Sequence, residues 1–319
     1  MSFSSKSKNE LSRIRSESRC CQIAELSALV RISGAIRLKG RSRVDLSIVT
    51  ENSAVARLVF TLFKKNFNIH TEVEVQKNRT LKKGNAYKVE YPNASEVLQT
   101  LGILTKEDGL FRINDSIPED LVKDQCCRRA YIRGAFLGGG SVSDPEKAYH
   151  MEFITHNEEY GSALQAVINT FDLNAKLIER KNNHIVYLKE GDQIVDLLNI
   201  IGAHHALLDF ENVRILKQMR NNVNRLVNCE TANLNKTVNA ALRQVRDIEF
   251  IRDTVGLASL PEGIRELAQI RLENREASLV ELGGLLSTPI GKSGVNHRFK
   301  KIHKIADQYR EKEGVMTHD

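Results

Sequence analysis

The chain has 319 residues, 41% hydrophobic and 27% charged, enough for two or three domains of ordinary size around a sizeable core. A net charge of +7 and a pI near 9.1 favour a polyanionic partner. No apolar run reaches the roughly 20 residues of a membrane helix, and the polar start MSFSSKSKNE lacks the apolar segment of a secretory leader, so a soluble cytoplasmic protein is expected.

Residues 1–21 are read as a basic N-terminal helix. Residues 20–36 (CCQIAELSALVRISGAI) recur in register 106 positions later as residues 126–142 (CCRRAYIRGAFLGGGSV). Paired cysteines match, as do Ala24 and Ala130, Leu26 and Ile132, Ala28 and Gly134, Gly34 and Gly140, Ile36 and Val142. The two pairs of adjacent cysteines and the single Cys229 form no CxxC pattern and no metal-ligand spacing. They are read as reduced, buried or half-buried residues, with no metal and no cofactor expected.

The segments after each copy keep the same order, as a duplicated unit requires. In the first half, residues 44–50 alternate as a strand, 53–67 have helical spacing, 69–75 and 87–91 are strands, and 94–101 close with a helix. In the second, 149–155 precede a helix at 158–171, strands at 175–180 and 184–188, and a helix at 192–201. Each half reads αββαββα. The small residues Ala28, Gly34, Gly134 and Gly140 suit a tight pseudo-twofold contact between the opening helices. Gly138, Gly139 and Gly140 are not followed by the Lys-Ser or Lys-Thr of a phosphate loop, and fit helix packing better.

From residue 206 to 257 two connecting helices are predicted, 207–226 and 234–254, separated by the polar string RLVNCETANLNK. Its residues Arg225, Asn228, Asn233 and Lys236 have two readings, a capped helix junction, which is preferred, or an elbow contacting phosphates. A compact C-terminal unit covers residues 258–312. Pro261 suits a helix start, a first helix runs from 262 to about 274, and a second begins near 278. Gly283 fits a tight crossing of these two. After a turn at 287–291, a third helix runs from about 294 to 310.

That third helix segregates its faces. Val295, Phe299, Ile302 and Ala306 share one side at 100° per residue, while His297, Lys300, Lys301 and Lys304 point away, with Asn296 and His303 on the flank. A helix, a turn and a basic amphipathic helix form the layout of a helix-turn-helix, whose second helix enters the major groove of duplex DNA. Lys292, Arg298, Lys300, Lys301 and Lys304 are expected at phosphates, and Asn296 and His297, near the helix start, at base edges.

Residues 132–140 (IRGAFLGGG) resemble a degraded LAGLIDADG motif of homing endonucleases, and residues 26–34 a fainter copy. The resemblance implies a two-lobed fold whose active members carry a metal-binding acid at the second-last motif position. Ser33 and Gly139 stand there instead. Asp144, beside Pro145, is better read as a turn residue than as a displaced ligand. Together with the RLVNCETANLNK string and the C-terminal helix-turn-helix, the whole chain closely resembles the WhiA family of bacterial regulators.

The expected fold is therefore α+β, a LAGLIDADG-like double repeat at 22–205 (halves 22–104 and 128–205), a helical linker at 206–257 and an all-α DNA-binding domain. The resemblance implies a non-catalytic, nucleoid-associated transcription factor of sporulation, cell division and chromosome segregation. The repeat domain has two readings. Arg37, Lys39, Arg41 and Arg43 form a basic run that could grip a duplex, but the second half has no equal run. The alternative is a module that binds another regulatory protein. Oligomeric state and target sequence stay open.

Overall fold

A computed structural model describes residues 1–39, 43–70, 73–77, 85–107 and 110–312, in two compact units, Met1–Gln218 and Met219–Asp319. The first is built around two long helices, α2 (Arg19–Ser33) and α5 (Gln125–Gly139). From Cys21 to Val30 every residue of α2 is buried, as a helix flanked on all sides must be. The N-terminal stretch is not one helix to residue 21. A short α1 (Phe3–Leu11) buries Ser7 and Leu11, and irregular chain follows before α2.

Each half adds a four-stranded antiparallel sheet and further helices. The first half has β1 (Gly34–Lys39), β2 (Arg43–Thr50), α3 (Ser53–Phe67), β3 (Val73–Lys77), β4 (Asn85–Tyr91) and α4 (Ser95–Thr100). A hairpin of β5 (Leu104–Glu107) and β6 (Leu110–Ile113), not read from the sequence, leads to the second half. There the elements are β7 (Gly140–Val142), β8 (Met151–Thr155), α6 (Glu158–Asn169), β9 (Lys176–Arg180), β10 (Asn183–Leu188) and α7 (Gly191–Ile201). Strand orders β1-β2-β4-β3 and β7-β8-β10-β9 are the same topology used twice. Even the caps repeat, since Asn52 opens α3 and Asn157 opens α6 with side-chain oxygens that accept from backbone N–H groups.

Of the small residues expected at the tight contact between α2 and α5, Gly134 is there, and Gly138 joins it. A Cβ on Gly134 would lie 2.0 Å from the Glu25 carbonyl oxygen, and one on Gly138 3.1 Å from that of Leu29. Gly34 and Gly140 instead end their helices and start β1 and β7, and a Cβ there meets the helix they leave, at Val30 and Phe136. Between the helices Arg133 donates to both carboxylate oxygens of buried Glu25, at 3.0 and 2.8 Å, and to Ser16.

The cysteines differ from expectation. Cys21 and Cys127 are buried, whereas Cys20, Cys126 and Cys229 are exposed. Folding brings Cys20, Cys21 and Cys127 together although their spacing in the chain shows no ligand pattern.

The predicted pair of connecting helices is one helix, α8 (His204–Thr254). Glu10 caps its start, accepting from the backbone N–H of His205 and Ala206. The amide-rich string that was read as a junction lies in the middle of the helix, because it contains no Gly or Pro and Asn costs a helix only tenths of a kcal/mol per residue. The end comes at Gly256, whose φ of 80° lets its N–H turn back to the Ile251 carbonyl. In the second unit α9 (Glu262–Glu273), α10 (Leu279–Gly284) and α11 (Lys292–Lys312) follow, with a capping box of Ser278 and Glu281 opening α10. Its core joins Ile264, Leu267, Leu282, Val295, Phe299 and Ile302 to Ile248 and Ile251 of α8, residues that the sequence reading had assigned to the linker.

Candidate nucleic-acid interface

Val295, Phe299, Ile302 and Ala306, spaced at i, i+4, i+7 and i+11, bury one side of α11 and set its rotation. With that side fixed, Lys292, Asn296, His297, Lys300, Lys301 and Lys304 are all exposed. Arg298 does not join them. It is half-buried, and its guanidinium donates to the Gly263 carbonyl at 2.8 Å, tying α11 to the start of α9.

His303, read as a flank residue, is part of a polar clasp. Its Nδ1 lies 2.7 Å from buried Asp247 of α8 and its Nε2 3.3 Å from Asp307, while Arg310 donates to both aspartates. The acids Asp247 and Asp307 are thus spent inside this clasp, and the early part of α11 keeps cations without acids. The turn between α10 and α11 is held by Gly283. A Cβ there would meet the Ile290 carbonyl oxygen at 2.2 Å, and Ile290 N–H donates back to the Gly283 carbonyl at 3.1 Å. Gly283 therefore serves the approach of the turn and Val295 rather than the crossing of α9 and α10. Arg271, fully buried, donates to the Ala277 carbonyl and to Gln244 of α8, with its guanidinium 5.4 Å from the centre of the Phe299 ring. Sequence reasoning missed this residue, since a lone arginine on an amphipathic helix reads as solvated.

Arg225, Asn228, Asn233 and Lys236 are exposed along α8, with Arg225 and Lys236 on one side and Met219, Val223, Val227 and Leu234 on the opposite side at 100° per residue. None of the four caps a helix end.

On the open face of the first sheet the basic run meets acids. Cross-strand register sets Arg37 opposite Asp45, Lys39 binds Asp45 at 2.6 Å, and Arg43 donates to Asn93 at 2.7 Å. The Lys39 hydrogen bond holds the Asp45 carboxyl below the usual range. Lys88 pairs with Glu90 on the same face. Arg41 lies outside the described residues. In the second sheet that face carries exposed Ile154 on β8 and Ile178 on β9, with β10 between them.

At the ends of α2 and α5, the hydroxyl of Ser33 donates to the Leu29 carbonyl at 2.7 Å, and a Cβ on Gly139 would lie 2.3 Å from the Ile32 side chain. Asp144 closes a turn, accepting from the Glu146 N–H. No helix of the described residues is long and apolar enough to cross a membrane.

Three family models match the chain: the WhiA N-terminal LAGLIDADG-like domain over residues 19–104, the WhiA LAGLIDADG-like domain over 128–220 and the WhiA C-terminal HTH domain over 223–306. The chain is 55% identical to a probable cell division protein WhiA of Alkaliphilus metalliredigens, covering 98% of this chain and 99% of that one. It is 56% identical to the protein of the same name from Clostridium acetobutylicum, covering 98% and 100%. The crystal structure of full-length DUF199/WhiA from Thermatoga maritima, 29% identical, aligns over 97% of this chain and 99% of that one with a TM-score of 0.60.

Proposed function

The chain belongs to the WhiA family, and from that premise we propose that it is a non-catalytic, sequence-specific binder of double-stranded DNA that regulates transcription through α11. The observation that carries this reading is the division of α11 into a buried apolar side and an exposed side of Lys292, Asn296, His297, Lys300, Lys301 and Lys304. In this reading the lysines neutralise phosphates, Asn296 and His297 reach base edges, and Arg298 fixes the tilt of the helix and adds charge at its rim. Arg225 and Lys236, with Asn228 and Asn233, form a second cationic strip that could follow the backbone of the duplex. The curated relatives carry the name of a cell division protein. We place this chain in the same process on the nucleoid, with chromosome segregation and sporulation as further roles implied by the family resemblance.

Nuclease chemistry is disfavoured because paired divalent cations need carboxylate oxygens at the scissile phosphate, and Ser33 and Gly139 supply none. A second reading concerns the repeat domain. Cations offset by acids on the first sheet, and isoleucines on the second, suit a protein partner better than a phosphate backbone.

Titration of the full-length protein against duplex DNA with magnesium, across a salt series, tests both readings. Lys300→Glu with Lys304→Glu is expected to weaken binding to all sequences alike and to lower the salt slope by about 2, roughly one unit per phosphate contact. Asn296→Ala should cost about 1–3 kcal/mol of discrimination between sequences. Unchanged affinity after the double reversal would move the DNA site away from α11, and cleaved DNA would restore the nuclease.

A further inference from the structure

The duplicated cysteine pairs meet where the two halves of the first unit begin. Cys20 and Cys21 lie in the first turn of α2, Cys126 and Cys127 in the first turn of α5. The sulfurs of Cys20, Cys21 and Cys127 all lie within 4.8 Å of one another, and those of Cys21 and Cys127 are 3.8 Å apart. Cys126 is the fourth thiol of the duplicated pairs, exposed in the first turn of α5 beside Cys127.

We propose that these four thiols form a site for a divalent cation of the zinc class, bridging the two halves across their pseudo-twofold axis. The spacing suits it. A tetrahedral ion with metal–sulfur bonds of about 2.3 Å separates its sulfurs by about 3.8 Å along each edge, the distance found between Cys21 and Cys127. Cys126, exposed, completes the tetrahedron by a change of side-chain rotamer. Two helix N-termini converge on the cluster, so their backbone dipoles favour the negative charge of bound thiolates. Exposed Cys20 and Cys126 give the ion its way in, while Cys21 and Cys127 hold it from inside.

Burial pushes the Cys21 thiol up to about 12, and Cys127 also upward, so the metal-free site holds protonated thiols. Binding forms four metal–sulfur bonds and releases the thiol protons to solvent, with no change of oxidation state. Affinity should therefore rise with pH.

Reduced, metal-stripped full-length protein titrated anaerobically with Co²⁺, and then with Zn²⁺ as competitor, tests it. One equivalent of Co²⁺ should bind with a thiolate-to-cobalt charge-transfer band and the strong visible bands of a tetrahedral site, both erased by Zn²⁺. Cys20→Ser and Cys126→Ser, at exposed positions where folding is undisturbed, should each weaken binding by more than about 10-fold. Cys229→Ser should leave it unchanged. Absence of these bands in the wild type overturns the proposal, as does their survival in the double variant Cys20→Ser/Cys126→Ser.

Discussion

At Lys8 the chain places an ammonium on a half-buried turn of α1, 5.8 Å from the centre of the Phe136 ring. Burial lowers its pKa from 10.5 to about 8. Between those values the unfolded chain holds more of the proton, so this group makes stability rise with pH through that window, and below about 8 the folded state bears the full cost of the charge. Lys8→Met should therefore match or exceed the wild-type melting temperature at neutral pH, with the difference closing as pH approaches 10.5. A variant that melts lower at pH 7 would show that the ring contact outweighs burial. The Glu25–Arg133 pair is the opposite case, since its charges are satisfied by each other and by Ser16. From the sequence, Glu25 and Arg133 were only two charged residues inside motif copies. Their burial depends on a helix contact between residues 108 positions apart.

At the scale of elements, period and capping residues made most helices and strands legible. α9, α10 and α11 fall close to their predicted ranges because Pro261, Ser278 and Gly291 punctuate them. The amide side chains of the RLVNCETANLNK string predict a break, yet α8 runs through it. Asn233 instead sits mid-helix, its carbonyl accepting from the Thr237 hydroxyl at 3.0 Å. Asn233→Ala should then stabilise α8 by about 0.5 kcal/mol through helix propensity, read from denaturant unfolding. A capped junction at that position would instead lose about 1 kcal/mol. β1 and β7 carry no separate signal because each begins directly at the end of a buried helix.

For the whole molecule, each unit has its own core, one running from Leu11 to Phe210 and the other from Ile248 to Ala306. Two calorimetric transitions are expected rather than one. Gly134→Ala, which drives a methyl group into the Glu25 backbone, should lower one of them by about 1–3 kcal/mol. Leu282→Ala should lower the other by about 2–5 kcal/mol. A single transition moved by both would mean that the units unfold together.

The sequence by itself determined the duplication, the αββαββα order of each half, the missing motif acids and the cationic side of α11. These are local or periodic properties, carried by spacing along one stretch of chain. Only the tertiary structure decided which glycines let α2 and α5 touch, and that Arg298 turns inward to Gly263 while the lysines beside it do not. It also decided that His303 belongs to an aspartate clasp and that the sulfurs of Cys20, Cys21 and Cys127 share one place. Each of those depends on side chains far apart in the chain meeting at distances of a few ångströms, and no spacing within a single helix specifies such a meeting.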